Sequence, residues 1–253
     1  MKRCNRSLIM YEVRNIAGNI FVHLFGIGLP ILLSLFISSV ASKDVPEFMK
    51  QRVVTSVAIT MSLIIPMAIM LIGYAANYAQ EVERNVPTRM YLFGFSEKSM
   101  MLAKAIAQLI FLTGAMLIYM VAEVLFLDIQ KPALLSFLCL LACLYLVGIL
   151  FFLFAHGISI LLKKFGPTYA VTMAMYFLIM ILSGMMGMGS DQLPEPMKTI
   201  AYTLPTTYIS NEFIDFWQGQ HYNFMPLIQS FLFFGTLAGI VVMLSLYQKR
   251  KSA

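Results

Sequence analysis

The sequence predicts an all-α polytopic membrane protein: six transmembrane helices, an N-terminal interfacial helix, and a re-entrant outer helical segment before the sixth span. Three observations carry this. The chain is 60% hydrophobic and only 12% charged, where a soluble domain is nearer half apolar and a quarter charged. Its apolar residues fall in six runs, each long enough to cross roughly 30 Å of hydrocarbon, which takes about 20 residues. The runs do not alternate apolar with polar as barrel strands do, and otherwise only a helix pairs every backbone group in lipid.

Residues 3–17 predict an amphipathic helix. Ile9, Val13, Ile16 and Ile20 fall on one face, with Arg3 and Arg14 away from it. A basic amphipathic helix suits a membrane interface; the alternative is a solvated start to the first span. No short apolar core with a small-residue cleavage site is present, so no cleaved signal peptide is read. The spans are placed at Ile20–Val40, Val53–Ala76, Met100–Leu125, Pro132–His156, Pro167–Met188 and Phe224–Tyr247. Residues 1–253 read as one transmembrane domain.

Orientation follows from Lys and Arg, which gather on cytoplasmic segments. With both termini inside, thirteen lie inside and five outside, the five being Lys43, Lys50, Arg52, Lys131 and Lys198. The +6 net charge is therefore read as topology. No basic run with interleaved aromatics points to nucleic acid.

From just after the second run into the start of the third lies Gln80–Ala105, with seven charges: Glu81, Glu83, Arg84, Arg89, Glu97, Lys98 and Lys104. Residues 80–99 are expected in water at the inner surface. Val86, Met90 and Phe93 recur at i, i+4 and i+7, so a short helix there shows one apolar stripe. Rimmed by Glu83, Arg84 and Arg89, it suits a groove on a partner protein. The alternative is a solvated loop that only joins two spans.

The outer segment 189–223 is punctuated by Pro194, Pro196 and Pro205. Between them Met197, Ile200 and Ala201, then Tyr208, Phe213, Phe216 and Trp217, stand at helical spacing. Short helices folded against the outer surface, where aromatics concentrate, explain the pattern better than an ordinary loop.

Little here speaks for chemistry. Cys4, Cys139 and Cys143 form no disulfide framework; Cys139 and Cys143 read as small packing residues, with metal ligation the alternative. His23, His156 and His221 have no metal-ligand spacing to a carboxylate. An intramembrane enzyme needs a nucleophile and base, or two acids, at mid-membrane. Glu123 is the only acid within a span, near its outer end, where it reaches the interface, pairs with the outer segment or serves substrate passage. Lys104, near the inner end of the third span, is expected to snorkel to water.

On these residues the chain resembles the permease family of type-two ABC exporters, over nearly its whole length. One pattern is Glu81-Val-Glu83-Arg84 leading through Leu92-Phe93-Gly94-Phe95-Ser96 to Lys104. It looks like the family's coupling segment. The other is Leu182-Ser183-Gly184, Leu193-Pro194-Glu195-Pro196 and Leu204-Pro205-Thr206-Thr207-Tyr208, similar to the family's outer signature. Pro87 departs from the family's Gly-Thr at that place, and a proline forbids an uninterrupted helix there.

The resemblance implies a permease subunit working with a cytoplasmic ABC ATPase and a second permease, identical or homologous, in the cell membrane. ATP and Mg would be bound by the ATPase, with no cofactor in this chain, which has no G-x-x-x-x-G-K-[ST] loop. It implies ATPase coupling through Glu81, Glu83, Arg84, Val86, Arg89, Met90 and Phe93. It also implies a pathway along the second and fifth spans, which carry Ser56, Thr60, Ser62, Thr172 and Ser183. Small hydroxyls without charge suit an amphipathic peptide, drug or lipid-like substrate; alternatively they bond back to helix carbonyls. A copper-handling permease is a second reading, because Met185, Met186 and Met188 close the fifth span and thioethers bind Cu(I).

Overall fold

The computed structural model describes residues 3–43, 45–187 and 189–251. It is all-helical, with no strand among the described residues. Among the described residues six helices are long and apolar enough to cross a membrane: Leu24–Ala41, Glu47–Glu83, Glu97–Phe126, Leu134–Leu162, Phe165–Leu182 and Phe224–Gln248. The protein is a multi-pass membrane protein, as its composition predicts.

The second span is the axis of the bundle. In its most apolar window 83% of residues are buried, against 22% in the first and sixth spans. Leu63, Ile64, Ile65, Met67, Ile69 and Leu71 are sealed from solvent completely. The other spans surround it and turn Leu32, Phe36, Leu117, Val121, Leu232 and Met243 outward, where a bilayer would cover them.

Two prolines shape the central helices. Pro66 has no N–H to give the turn before it, so the helix loosens at Leu63 and continues as a π-helical stretch, Met67–Gly73. Pro30 sits just past a second π-helical turn, Leu24–Gly28. The two wide turns pack on each other through glycine. A Cβ on Gly26 would lie 2.7 Å from Ile69 Cγ1, and one on Gly73 3.0 Å from Val22 Cγ2.

Several boundaries differ from the sequence reading. The second helix starts at Glu47, so Lys50 and Arg52 belong to its first turns and the connection before it is short. Arg52 is held there by Asp215 and Gln218, both 2.6 Å away. The fourth helix runs on to Leu162 and stops where Lys163 turns left-handed (φ 56°). The fifth ends at Leu182 rather than Met188 because Gly184, at φ 76°, closes it. Gly184 N–H donates to Ile181 O and Met185 N–H to Met180 O, the pair of bonds of a Schellman cap. The Ser-Gly pattern noticed in the sequence is this cap. Met188 itself lies outside the described residues.

The N-terminal helix is Arg6–Ala17, started by the Asn5 side chain accepting from Leu8 N–H at 2.9 Å. Its buried face is Leu8, Glu12 and Ile16, not the expected Ile9–Val13–Ile16–Ile20 face, and Ile20 is exposed. The rotation brings Glu12 against the third span, where a cation meets it.

At the far end of the bundle the outer segment forms a single 3-10 turn and three short helices, Glu195–Ala201, Pro205–Asn211 and Phe213–Trp217. Pro196 and Pro205 stand in first turns, where a missing N–H costs nothing. Pro205–Asn211 packs on the second and sixth spans, and Phe213–Trp217 on the second. Here burial pushes the Glu212 carboxyl above its ordinary range, and the nearby Asp215 charge adds to it.

Candidate functional site

Residues 84–96 form a strap across the other end of the bundle. The second helix ends at Arg84, and Asn85 takes a left-handed turn (φ 56°), which asparagine tolerates better than most residues. A new helix, Val86–Leu92, begins at once with Pro87 in its first turn. The proline thus fixes where the helix starts rather than interrupting one. Gly94 (φ 91°) closes it with a second Schellman cap: Gly94 N–H to Tyr91 O, Phe95 N–H to Met90 O. Ser96 then caps the third span by accepting from Ser99 N–H at 3.1 Å.

Under the strap lies a buried ion cluster. Lys104 Nζ stands 2.8 Å from Glu12 and 2.7 Å from Glu81. Asn15 donates to Glu81 at 3.1 Å, and the ammonium lies 5.7 Å from the Tyr78 ring centre. Lys104 is 8% exposed, so it does not snorkel. It is neutralised where it stands by carboxylates from the N-terminal helix and the second span. Burial pushes the Glu12 carboxyl up, while Lys104 opposes the shift. Close by, Tyr74 and His156 share a buried hydrogen bond of 2.8 Å.

The cluster sorts the seven candidate coupling residues. Glu81 faces inward into it. Glu83 accepts from Phe165 N–H at 2.9 Å, joining the second span to the start of the fifth. Val86 and Met90 line a groove of about 410 Å³ shared with Tyr78, Lys104 and His156, so these two stripe residues face their own chain. Arg84, Arg89 and Phe93 face outward. Tyr91 (49% exposed), Leu92 (79%) and Phe93 (70%) form an apolar tip on the strap. Tyr91 and Leu92 were missed in the sequence; the unbroken apolar run Met90–Phe93 was the available signal.

The five candidate pathway hydroxyls are mostly committed inside the chain. Ser62 donates to Ile59 O and Thr172 to Thr168 O. Thr60 donates to Ser210 O at 3.1 Å, and Ser183 bonds Thr206 Oγ1 at 2.6 Å, so these two tie spans to the outer segment. Ser56 is half-buried. Glu123 does not reach the far interface: it is 2% exposed and accepts from Ser34 Oγ at 2.8 Å. Met185 is buried and Met186 exposed, so these two thioethers face different surroundings.

A fold of this kind agrees with the comparison to protein families. The family model described as ABC-2 family transporter protein matches residues 37–247. The chain belongs to the ABC-2 transporter family. The match runs from the end of the first span to the end of the sixth, and so takes in the strap, the outer segment and the central helix. No curated protein and no solved structure gives a significant match. Membership makes this ABC-2 protein a membrane subunit of transport, whose family works with an ABC ATPase.

Proposed function

We propose that this ABC-2 protein is the permease subunit of an exporter. It moves an amphipathic peptide, drug or lipid-like substrate outward, with ATP and Mg bound by a separate cytoplasmic ATPase and a second permease completing the pathway. The observation that carries the reading is the exposed tip Tyr91–Phe93, held on a strap that starts at the Asn85 turn and Pro87 and is fixed at its other end by a Schellman cap and the Ser96 cap. An exposed apolar patch at the end of a fixed helix is what a partner's groove needs. Arg84 and Arg89 rim that contact, while Glu81, Glu83, Val86 and Met90 brace it from behind. A push on the tip would pass through Glu83 to the fifth span and through Glu81 to the third.

The pathway of this proposal runs along the second and fifth spans. Ser56 is where added bulk meets it without disturbing the sealed core that holds Thr60, Ser62, Thr172 and Ser183. Copurification from the native membrane should yield an ATPase whose turnover rises with an amphipathic substrate. Ser56→Trp should lower substrate export while the ATPase stays bound. A chain that purifies alone, with no nucleotide hydrolysis in its eluate, would sink the proposal.

Both termini inside is part of the same reading. In a variant without native cysteines, a cysteine at Gln192 is expected to react with an impermeant maleimide in intact cells, and one at Ser99 only after lysis. The reverse pattern would overturn the orientation.

A further inference from the structure

The backbones of the third and fourth spans stay apart along most of their length, and the two meet only through side chains such as Leu112 against Gly148. Between them, with the second span at the back, is a cavity of about 260 Å³ lined by Ala58, Ile65, Met116, Met120, Leu140 and Leu144. Trp217 closes it toward the far end, and the Thr113–Tyr145 hydroxyl bond (2.6 Å) bridges the two spans elsewhere on its wall. Leu117, half-exposed, stands on the wall beside the apolar outward faces of Ile118 and Val121. The gap is thus flanked by surface that a bilayer covers.

Nearly every polar group on the wall is already used. Tyr119 OH donates to Ala58 O at 2.8 Å, Ser62 to Ile59 O, and Trp217 Nε1 to Gln130 O. Thr55 donates to Gln51 O and accepts from Gln130 N–H. Glu123 is the exception. One carboxylate oxygen accepts from Ser34; the other, Oε1, is buried and accepts no hydrogen bond, because the neighbouring Tyr119 hydroxyl gives its proton to Ala58 O. A buried acceptor left unpaired is costly, and a carboxylate more so.

We propose that this cleft is a binding site, entered sideways from the lipid, for an apolar molecule carrying one amine. The apolar body fills the space between the spans, and the amine donates to Glu123 Oε1 in a charge-assisted bond. The volume sits near the lower end of the range for small-molecule sites, about 300 Å³, so one alkyl or aryl body fits and a helix does not. The site lies within one chain. The inference needs neither the ATPase nor the transport reading.

Trp217 is the only tryptophan in the chain and lines the cleft, so it reports occupancy directly. The full chain in phosphatidylcholine liposomes is titrated with bromododecylamine, with bromododecanol as the matched control. A second arm replaces the amine with increasing fractions of phosphatidylethanolamine brominated on its acyl chain. Saturable quenching by the free amine identifies a soluble amphiphile as ligand; saturable quenching in the second arm identifies an aminolipid. Glu123→Gln is expected to weaken amine binding at least tenfold and to leave the alcohol control unchanged. Leu117→Phe, on a half-exposed position that bears no core load, should narrow the mouth and reduce quenching in the same arm. Quenching that rises linearly with bromine content in both arms, or equally for amine and alcohol, overturns the proposal even if Glu123→Gln cannot be purified.

Discussion

Lys104→Met is expected to be the most destabilising single change in this protein. It leaves Glu12 and Glu81 buried side by side without a cation, their side chains only 6% and 13% exposed. Removing one partner of a buried ion pair costs about 3–5 kcal/mol, more than the pair itself contributes, because the remaining charge has no solvent. Most of the marginal stability of a folded domain is of that size. The variant should lose much of its folded yield in detergent and unfold at lower SDS fraction than the parent. The triple change Glu12→Gln, Lys104→Met and Glu81→Gln should recover a large part of the loss, because no net charge remains. Acidification should also help the single variant. Burial already raises the Glu12 carboxyl, so the folded state holds that proton more tightly than the unfolded chain. Stability is then gained as pH falls through the folded value and lost above it. A Lys104→Met protein within about 0.5 kcal/mol of the parent, the range of ordinary surface changes, would show that the cluster is wet.

The second large effect belongs to the strap. Phe93→Asp puts a charge on a side chain that is 70% exposed and touches no core, so the permease should fold and insert as before. In an apolar partner groove the same charge has no water. ATPase capture should fall roughly 30-fold or more, taking about 2 kcal/mol as the lower cost of a mismatched buried charge and 1.4 kcal/mol per decade. Arg84→Glu should act in the same direction through its rim contact. Glu83→Arg should differ from both: it also loses the bond from Phe165 N–H, so it should weaken the permease as well as the complex. Met90→Asp belongs with Glu83→Arg, because Met90 lines the groove beneath the strap. ATPase pull-down and ATP turnover in nanodiscs, read beside the melting point of the permease alone, separate the two classes. Wild-type capture by Phe93→Asp and Arg84→Glu together would mean that the tip is not the contact.

What the sequence determined by itself was the number, rough place and helical nature of the spans. Hydrocarbon leaves the backbone no other partner than its own helix, so length and apolarity suffice. It also marked the local punctuation. Ser183-Gly184 and Phe93-Gly94 are both Schellman caps, and Pro87 marks the first turn of the strap helix; each depends only on neighbouring residues. The family pattern was legible for the same reason, since it rests on the order of such local signals.

Only the tertiary structure decided which faces are buried and which charges meet. The spans are apolar nearly all round, so their periodicity names no inward side, and nothing local distinguished the enclosed second span from its neighbours. The N-terminal helix turned Glu12 inward, against the expected face, because its partner Lys104 stands 92 residues further on. Lys104 and Glu123 each looked like a residue that could reach water at a span end. Both are instead held inside, Lys104 by Glu12 and Glu81 and Glu123 by Ser34. Glu81 and Lys104 stand in one charged stretch, but their meeting is completed by Glu12, 92 residues before Lys104, and Glu123 is held by Ser34, 89 residues before it; no local window contains these partners.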